Sequence, residues 1–389
     1  MTRLHGGGAE RQMLLLAREL RPTHDIRFLV MRSGGEFARI PGELGIEALH
    51  LGWHDRPWRK APIAYVLGVA RALVTYVRFA REVDVLEAWL PGAYIFAGLA
   101  QPLARVPVLV AGRRTMSDIN LFRRRFRRIL AALAMRRVDA VVANSEAVAR
   151  DAIRTEGLPP ARVRVIRNGV EMPTDDPEVL RQAGRALWVV SDREFLIGCV
   201  ANCRPGKGPE TVVGMADRLR DVRESMRVVV VGDGPLRPAL ERSIVRLGLD
   251  GMVTLHGAHE DARRLYPAFD IVVQASDSEG LPNAVLEAAA WGRPIVATDA
   301  GGTREIVRHG VDGVLVPRRD PDSLADAVLG LVRDPRTREE LGRAARRRAV
   351  EFSPRRLAEE TAALYRELLA VKRPAPGQRY VSTTAHRTP

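Results

Sequence analysis

Cysteine is nearly absent: Cys199 and Cys203 are the only two in 389 residues. A Cys-x3-Cys pair without a second pair of ligands does not make a zinc site, so both thiols are read as buried or idle. Long apolar runs are lacking as well. None approaches the roughly 18 residues a spanning helix needs, and the N-terminus has no signal-peptide core, so the chain is expected in the cytoplasm. RNP segments and C2H2 spacing are missing, which sets aside nucleic acid as a partner. There is no long repeat or low-complexity block. The tail after Lys372, rich in Pro, Arg and Thr, is expected to be disordered over 373–389.

What is present is a soluble globular composition, 46% hydrophobic and 28% charged, at a length that suits two domains. Basic residues number 61 against 47 acidic ones, a formal charge of +14, which draws the protein to polyanions without choosing among them. The densest basic stretch is LFRRRFRRILAALAMRR, residues 121–137. Its Phe122, Phe126, Ile129, Leu130 and Leu133 recur at helical spacing among arginines. Such a helix either lies on an anionic membrane or turns that apolar stripe to its own core; both readings stay open.

From residue 84 onward, short apolar runs (VDVLEAWL, PVLVAGR, VDAVVANS, VRVIRNGV) alternate with helical patterns. After residue 194 a second series follows: EFLIGCVANC, MRVVVVGDG, MVTLHG, DIVVQAS, RPIVATD and GVLVP. Alternation of this kind argues for βαβ units and parallel sheets covered on both faces, hence two doubly wound domains in tandem. The expected division is 1–172 and 190–352, with a linker near Glu171 to Pro177 and a helix over about 353–372. GGGAERQMLLLAREL reads as a glycine turn opening a helix, which in a Rossmann-type domain follows the first, central strand. Only MTRLH precedes it, too short and polar for a buried strand. Either the true start lies upstream, the favoured reading, or this domain lacks its central strand and is expected to be poorly stable.

Ligands of open α/β sheets sit beyond the carboxyl ends of the strands. SEGLPNAVLE follows such an end. Pro282 suits a first helical turn, leaving Glu279 in the loop and placing Glu287 early in the helix, two carboxylates that can accept hydrogen bonds from vicinal hydroxyls. Alone, such a pair is more often a loop acid and a helix-surface acid. Downstream, DAGGTREIV lets Gly301 and Gly302 bring backbone amides to an anion, reinforced by the next helix's positive end. Upstream, VANCRPGKG offers Arg204 and Lys207 to phosphate oxygens, and VVVVGDGP supplies Gly232 and Gly234. Three glycine loops with cations and hydroxyl-binding acids describe a nucleotide-sugar pocket.

GGAERQ, VDAVVANS, VIRNGV, GKG, VVGDGP, the E-x7-E element and DAGGTREIVRHGVDGVLVP together resemble retaining glycosyltransferases of family 4, over nearly all of Gly6 to Leu369. The resemblance implies the GT-B fold, two Rossmann-like domains facing a cleft, with the first strand of the N-terminal domain missing here. It implies that the C-terminal domain binds a UDP- or GDP-hexose and the N-terminal domain a carbohydrate or lipid-linked acceptor. It further implies that a final helix crosses back, and that transfer proceeds without a metal or other cofactor. By it, Lys207 matches the lysine on the donor diphosphate, Glu279 the acid by the sugar hydroxyls and Glu287 the acid on the ribose. Asn202, Leu281, Pro282 and Asn283 complete the donor loops, and Gly7 and Gly8 the N-terminal glycine loop. Two departures stand out. Asn202 replaces a frequent arginine, so Arg204 is the candidate for that charge, and Glu87-Ala88-Trp89 replaces a segment that often holds a histidine. His256 and His309 are read as structural, and Asp320 to Asp322 as a helix cap, not a metal motif. Two rivals remain: an epimerase of the same fold, for which no acid/base pair is evident, and a non-enzymatic polyanion binder. The enzyme is expected in the cytoplasm, peripheral on the inner membrane face if the basic helix binds lipid.

Overall fold

The computed structural model describes residues 7–31, 34–35, 37–52, 62–117 and 125–372. The tail 373–389 and the basic residues 121–124 lie outside them. The first half contains α1 (Gly8–Leu20), β1 (Arg27–Val30), α2 (Ile40–Glu43), β2 (Glu47–His50), α3 (Pro62–Ala80), β3 (Val85–Trp89), α4 (Leu90–Ala104), β4 (Val108–Arg113), α5 (Arg125–Met135), β5 (Ala140–Ala143), α6 (Glu146–Glu156) and β6 (Val163–Val165). After α7 (Pro177–Leu187) come β7 (Phe195–Val200), α8 (Pro209–Arg218), β8 (Met226–Val231), α9 (Arg237–Leu247), β9 (Val253–Gly257), β10 (Ile271–Gln274), α10 (Asn283–Ala290), β11 (Ile295–Thr298), α11 (Thr303–Ile306), β12 (Val314–Val316), α12 (Pro321–Arg333), α13 (Pro335–Ala349) and α14 (Pro354–Lys372).

Every strand pairing in the second half is parallel, in the order β12-β11-β10-β7-β8-β9. Alternation along each strand divides the side chains between two cores. Ile197, Val228, Val230 and Val273 face one, with α8 and α12, while Leu196, Val229, Val272 and Ile295 face the other, with α10 and α13. Sequence order reverses between β7 and β10, and that switch point is where a doubly wound sheet opens a crevice for ligands.

The first half carries the parallel sheet β3-β4-β5-β6 and a separate parallel pair, β1-β2. Both share the same cores: Phe28 and Val30 with Trp89 and Val108 on one side, Met31 with Ala88 and Leu109 on the other. In a doubly wound sheet the central strand belongs between those two edges. Among the described residues none fills that position. The edges register it: β4 and β5 are buried throughout, whereas Val85, Leu86 and Leu29 beside the gap stay partly exposed. The sequence reading did not place β1, β2 or α3, because two half-exposed four-residue strands give too short an alternation to stand out.

The chain returns through α14, whose Leu357, Ala358, Ala362 and Leu364 join the core that α1 supplies with Leu14, Leu15 and Leu16. Helix α5 bears on the two readings left open for the basic stretch. The core side of α5 is Ala131, Ala134 and Met135, whereas Ile129 and Leu133 of the apolar stripe are 51% and 40% exposed. Small alanines let α5 lie close against α4, as the contact of Gly98 with the Ala134 carbonyl indicates, so the bulkier residues are left outside.

Candidate functional site

Lys207 and Glu279 stand on the two sides of the C-terminal switch point, one in the loop after β7 and the other in the loop after β10. Their side chains meet, Lys207 Nζ lying 2.6 Å from Glu279 Oε1, and the same oxygen accepts from Gln274 Nε2 at 2.8 Å. Glu279 is 8% exposed, and the Lys207 side chain 23%. Lys207 is also one of only three lysines in a chain whose cations are otherwise arginine, a signal available in the sequence. Backbone geometry fixes the pair. Gly208, at φ +65°, passes so close to the Ala275 carbonyl that a Cβ would sit 1.9 Å from its oxygen, and Gly301, at φ +55°, would clash likewise with the Glu279 carbonyl at 2.0 Å. Both positions therefore exclude side chains and bring three loops together.

Gly302 N donates to the Glu279 carbonyl at 3.3 Å. The helix after it, α11, has only four residues, so the expected support from a helix macrodipole is not there; a single turn aligns too few peptide dipoles. Pro282 sits at the N-cap of α10, one place before the first turn where it was expected. Arg204 and Asn202 are exposed on the β7 loop, and Arg204 makes no side-chain ion pair among the described residues. Gly232 and Gly234 pack on the backbone of Ala201 and Cys203, which accounts for glycine there without any ligand.

Glu287 is as buried as Glu279, 8% exposed, with both oxygens engaged: Arg11 Nη1 donates to one at 2.7 Å and the Tyr266 hydroxyl to the other at 3.1 Å. Burial first, and then the neighbouring Glu287 charge, push the Tyr266 phenol well above its usual range, so it stays a donor. Arg11 comes from α1 of the first half, so Glu287 is held across the cleft. A cavity of ≈ 1020 Å³ opens there, lined among others by Arg11, Arg18, Phe37, His259, Arg263 and Glu287; Lys207 and Glu279 lie outside it.

The loop Leu281–Asn283 is tied to the N-terminal half. Asn283 donates to the Gly8 carbonyl at 2.8 Å and accepts from Asn168 at 2.8 Å and from Gln12 at 3.3 Å, while Asn168 also reaches the Leu281 carbonyl at 3.1 Å. Gln12 in turn exchanges two hydrogen bonds with the Gly169 backbone. Gly7 is the N-cap of α1, and Gly8 packs on the Asn283 amide. Arg11, Gln12, Asn168, Tyr266 and Gln274 were not singled out from sequence. Two of them sit inside GGAERQ, but nothing in that spacing says that a helix start meets α10 nearly 280 residues away.

Glu87 and Trp89, at the end of β3, belong to a buried cluster. The Tyr365 hydroxyl of α14 donates to Glu87 at 2.6 Å, and the Arg114 guanidinium lies 3.8 Å over the Trp89 ring. Burial lowers the Arg114 pKa, and Glu87 opposes that shift. His256 accepts from the Trp188 indole at 3.2 Å, His309 accepts from Leu315 N at 3.1 Å, and Asp320 caps α12 by accepting from Ser323 N.

A family model described as Glycosyltransferase Family 4 matches residues 6–172, and one described as Glycosyl transferases group 1 matches residues 194–334. The chain belongs to glycosyltransferase family 4. Among curated relatives of this family 4 protein is a D-inositol 3-phosphate glycosyltransferase of Kribbella flavida. It is 31% identical over 239 residues, 59% of this chain and 56% of the relative. One of the same name from Mycobacterium tuberculosis H37Ra is 33% identical over 237 residues, 59% of this chain and 49% of the relative. The matched stretch thus spans about half the length of these relatives. In structure, Anabaena HepE in complex with UDP-glucose is 24% identical, with a TM-score of 0.82 over 94% of this chain and 98% of that one. WaaG, a glycosyltransferase involved in lipopolysaccharide biosynthesis, is 16% identical with a TM-score of 0.72. These likenesses establish the GT-B fold for this family 4 member.

Proposed function

We propose that this protein is a retaining glycosyltransferase that moves a hexose from a nucleoside diphosphate sugar to a carbohydrate or lipid-linked acceptor, in surface polysaccharide or glycolipid synthesis. The observation that carries it is the Lys207–Glu279 pair at the switch point, with Glu287 beside a large cavity. In this reading the C-terminal half holds the donor. Glu287 accepts from the ribose hydroxyls, Glu279 from the sugar, and the Gly301-Gly302 backbone faces the diphosphate. As the anomeric C–O bond breaks, negative charge gathers on the departing diphosphate. Lys207 and the unpaired Arg204 neutralise it, a preorganised electrostatic contribution that stands in for a metal ion. Gly7, Gly8 and the cluster around Glu87 border the acceptor side. Among the described residues no helix is long and apolar enough to cross a membrane.

The test is hydrolysis and transfer with UDP-Glc, UDP-GlcNAc, UDP-Gal and GDP-Man, with and without EDTA, for the wild type and Glu287→Ala. UDP-glucose comes first because HepE is solved with it. Turnover of one donor that survives EDTA and collapses in the variant supports the reading. Silence on all donors, together with salt-sensitive DNA binding indifferent to Glu287, favours the polyanion binder instead.

A second expectation concerns Arg11. Its guanidinium occupies the carboxylate that the ribose needs, so donor binding must displace or share it. Arg11→Gln is expected to tighten nucleoside diphosphate binding by about threefold, in line with a partly exposed ion pair worth under about 1 kcal/mol. Titration calorimetry reads this directly. Weaker binding in the variant would mean that Arg11 contacts the nucleotide and does not compete with it.

A further inference from the structure

Helices α3, α4 and α5 lie side by side on one face of the N-terminal sheet, with α4 between the other two. Their outer surface is apolar. On α3, Ile63 is 76% exposed, Val66 65%, Leu67 64% and Val74 52%; on α4, Leu103 is 54% exposed; on α5, Ile129 and Leu133 follow. Val66, Leu67 and Val74 stand three, four and eleven residues after Ile63, offsets that put all four on one stripe of α3. An exposed apolar surface spread over three adjacent helices goes beyond the scattered leucines of an ordinary surface.

Charge identifies what it meets. None of these three helices contains a single Asp or Glu, although the chain has 47 acidic residues. Their charged side chains are all arginine, and exposed Arg71, Arg78, Arg105, Arg136 and Arg137 border the apolar stripe. A second copy of the chain docked on this face would bring two sets of arginines together in an apolar seam, which is electrostatically unfavourable. An anionic lipid surface offers both an apolar interior for the stripe and negative headgroups for the rim. We infer that the α3–α4–α5 face seats this protein on an anionic bilayer, with the stripe entering the headgroup boundary and the arginines on the headgroups.

The orientation suits the proposed acceptor. Helix α3 is entered from the carboxyl end of β2 and left at the amino end of β3, so Ile63, Val66 and Leu67 lie toward the cleft end of the sheet. A lipid-linked acceptor in the same bilayer would then approach the cleft from that side; this one consequence rests on the transferase reading, whereas the membrane contact does not.

Co-sedimentation with vesicles tests it without any activity. The wild type is expected to pellet with vesicles of phosphatidylglycerol and phosphatidylcholine in equal parts, at least tenfold more than with phosphatidylcholine alone. Changing Val66, Leu67 and Leu103 together to Ser, or Arg71, Arg78, Arg136 and Arg137 together to Gln, is expected to lower binding about tenfold. All of these side chains are exposed, and an unchanged circular dichroism melt shows that the variants are folded. A control set on α12 and α13, with Arg333, Arg343, Arg346 and Arg347 changed to Gln, removes the same charge elsewhere and is expected to bind as the wild type does. The inference is overturned if the wild type stays in the supernatant, if it binds both vesicles alike, or if the control set loses as much binding as the α3–α5 set. It is also overturned if the wild type self-associates in sedimentation velocity and the serine variant does not, which would make a second copy the occupant.

Discussion

Lys207→Ala is expected to lower kcat on the preferred donor by about 1,000-fold while KM moves by less than about tenfold. The Nζ is the cation that the fold brings to the switch point, 2.6 Å from Glu279. Removing one preorganised group that acts on charge developing at the leaving group costs on the order of 100- to 1,000-fold, and a full charge belongs at the upper end. The same change leaves the nearly buried Glu279 carboxylate facing the incoming diphosphate with only Gln274 on its oxygen, adding repulsion to lost attraction. Steady-state kinetics separates the contributions. Charge acting mainly in the transition state shows in kcat, whereas a lysine that merely holds the donor shows in KM. Lys207→Arg is expected to restore a minor part, since the guanidinium keeps the charge but not the compact geometry. A turnover within tenfold of the wild type for Lys207→Ala would remove this lysine from the chemistry.

Arg113→Met is expected to destabilise the N-terminal half by about 3 to 5 kcal/mol. Arg113 is 1% exposed at the end of β4, donating to Asp151 Oδ2 at 2.9 Å and to the Thr115 carbonyl at 3.0 Å, with Glu156 paired on its other side. Asp151 also accepts from Ser117 N and its hydroxyl, so the arginine anchors the loop beyond β4 to α6. Methionine fills the volume but leaves the nearly buried Glu156 without its arginine partner and Asp151 with only the exposed Arg154, 3.2 Å away, as counter-charge. At roughly 2 to 4 °C per kcal/mol, the thermal transition of this half should fall by about 10 °C. Adding Asp151→Asn and Glu156→Gln to the variant should recover part of that loss, because the cost is the stranded charge and not the missing contact. A shift below about 1 kcal/mol would show that water reaches the cluster.

The alternation of apolar runs from residue 84 onward was legible, and the structure has strands at each of them, because buried parallel strands such as VLVAGR and MRVVVV leave a nearly continuous hydrophobic signature. The three glycine loops were equally visible, since a strand-to-helix turn pressed on a neighbouring carbonyl admits no side chain. That no strand stands between β1 and β3 among the described residues agrees with the short, polar stretch read ahead of α1. Strands β1 and β2 were not legible, being four residues long and half exposed. Helix α5 was read correctly as a helix, with the direction of its apolar stripe left open, because periodicity locates a stripe without saying whether the core or the outside takes it.

By itself the sequence determined two doubly wound halves, Lys207, Glu279 and Glu287 as the candidate side chains for the proposed chemistry, and an excess of arginine. Those follow from local rules: burial writes hydrophobic runs, and tight turns write glycine. Only the tertiary structure decided that Arg11 rests on Glu287, that Gln12, Asn168 and Asn283 join the two halves, and that the basic helix turns its isoleucine and leucine outward beside α3 and α4. Each of these is a contact between segments far apart in the chain, fixed by how two halves and three helices pack, and such long-range geometry leaves no periodic trace in the residues that make it.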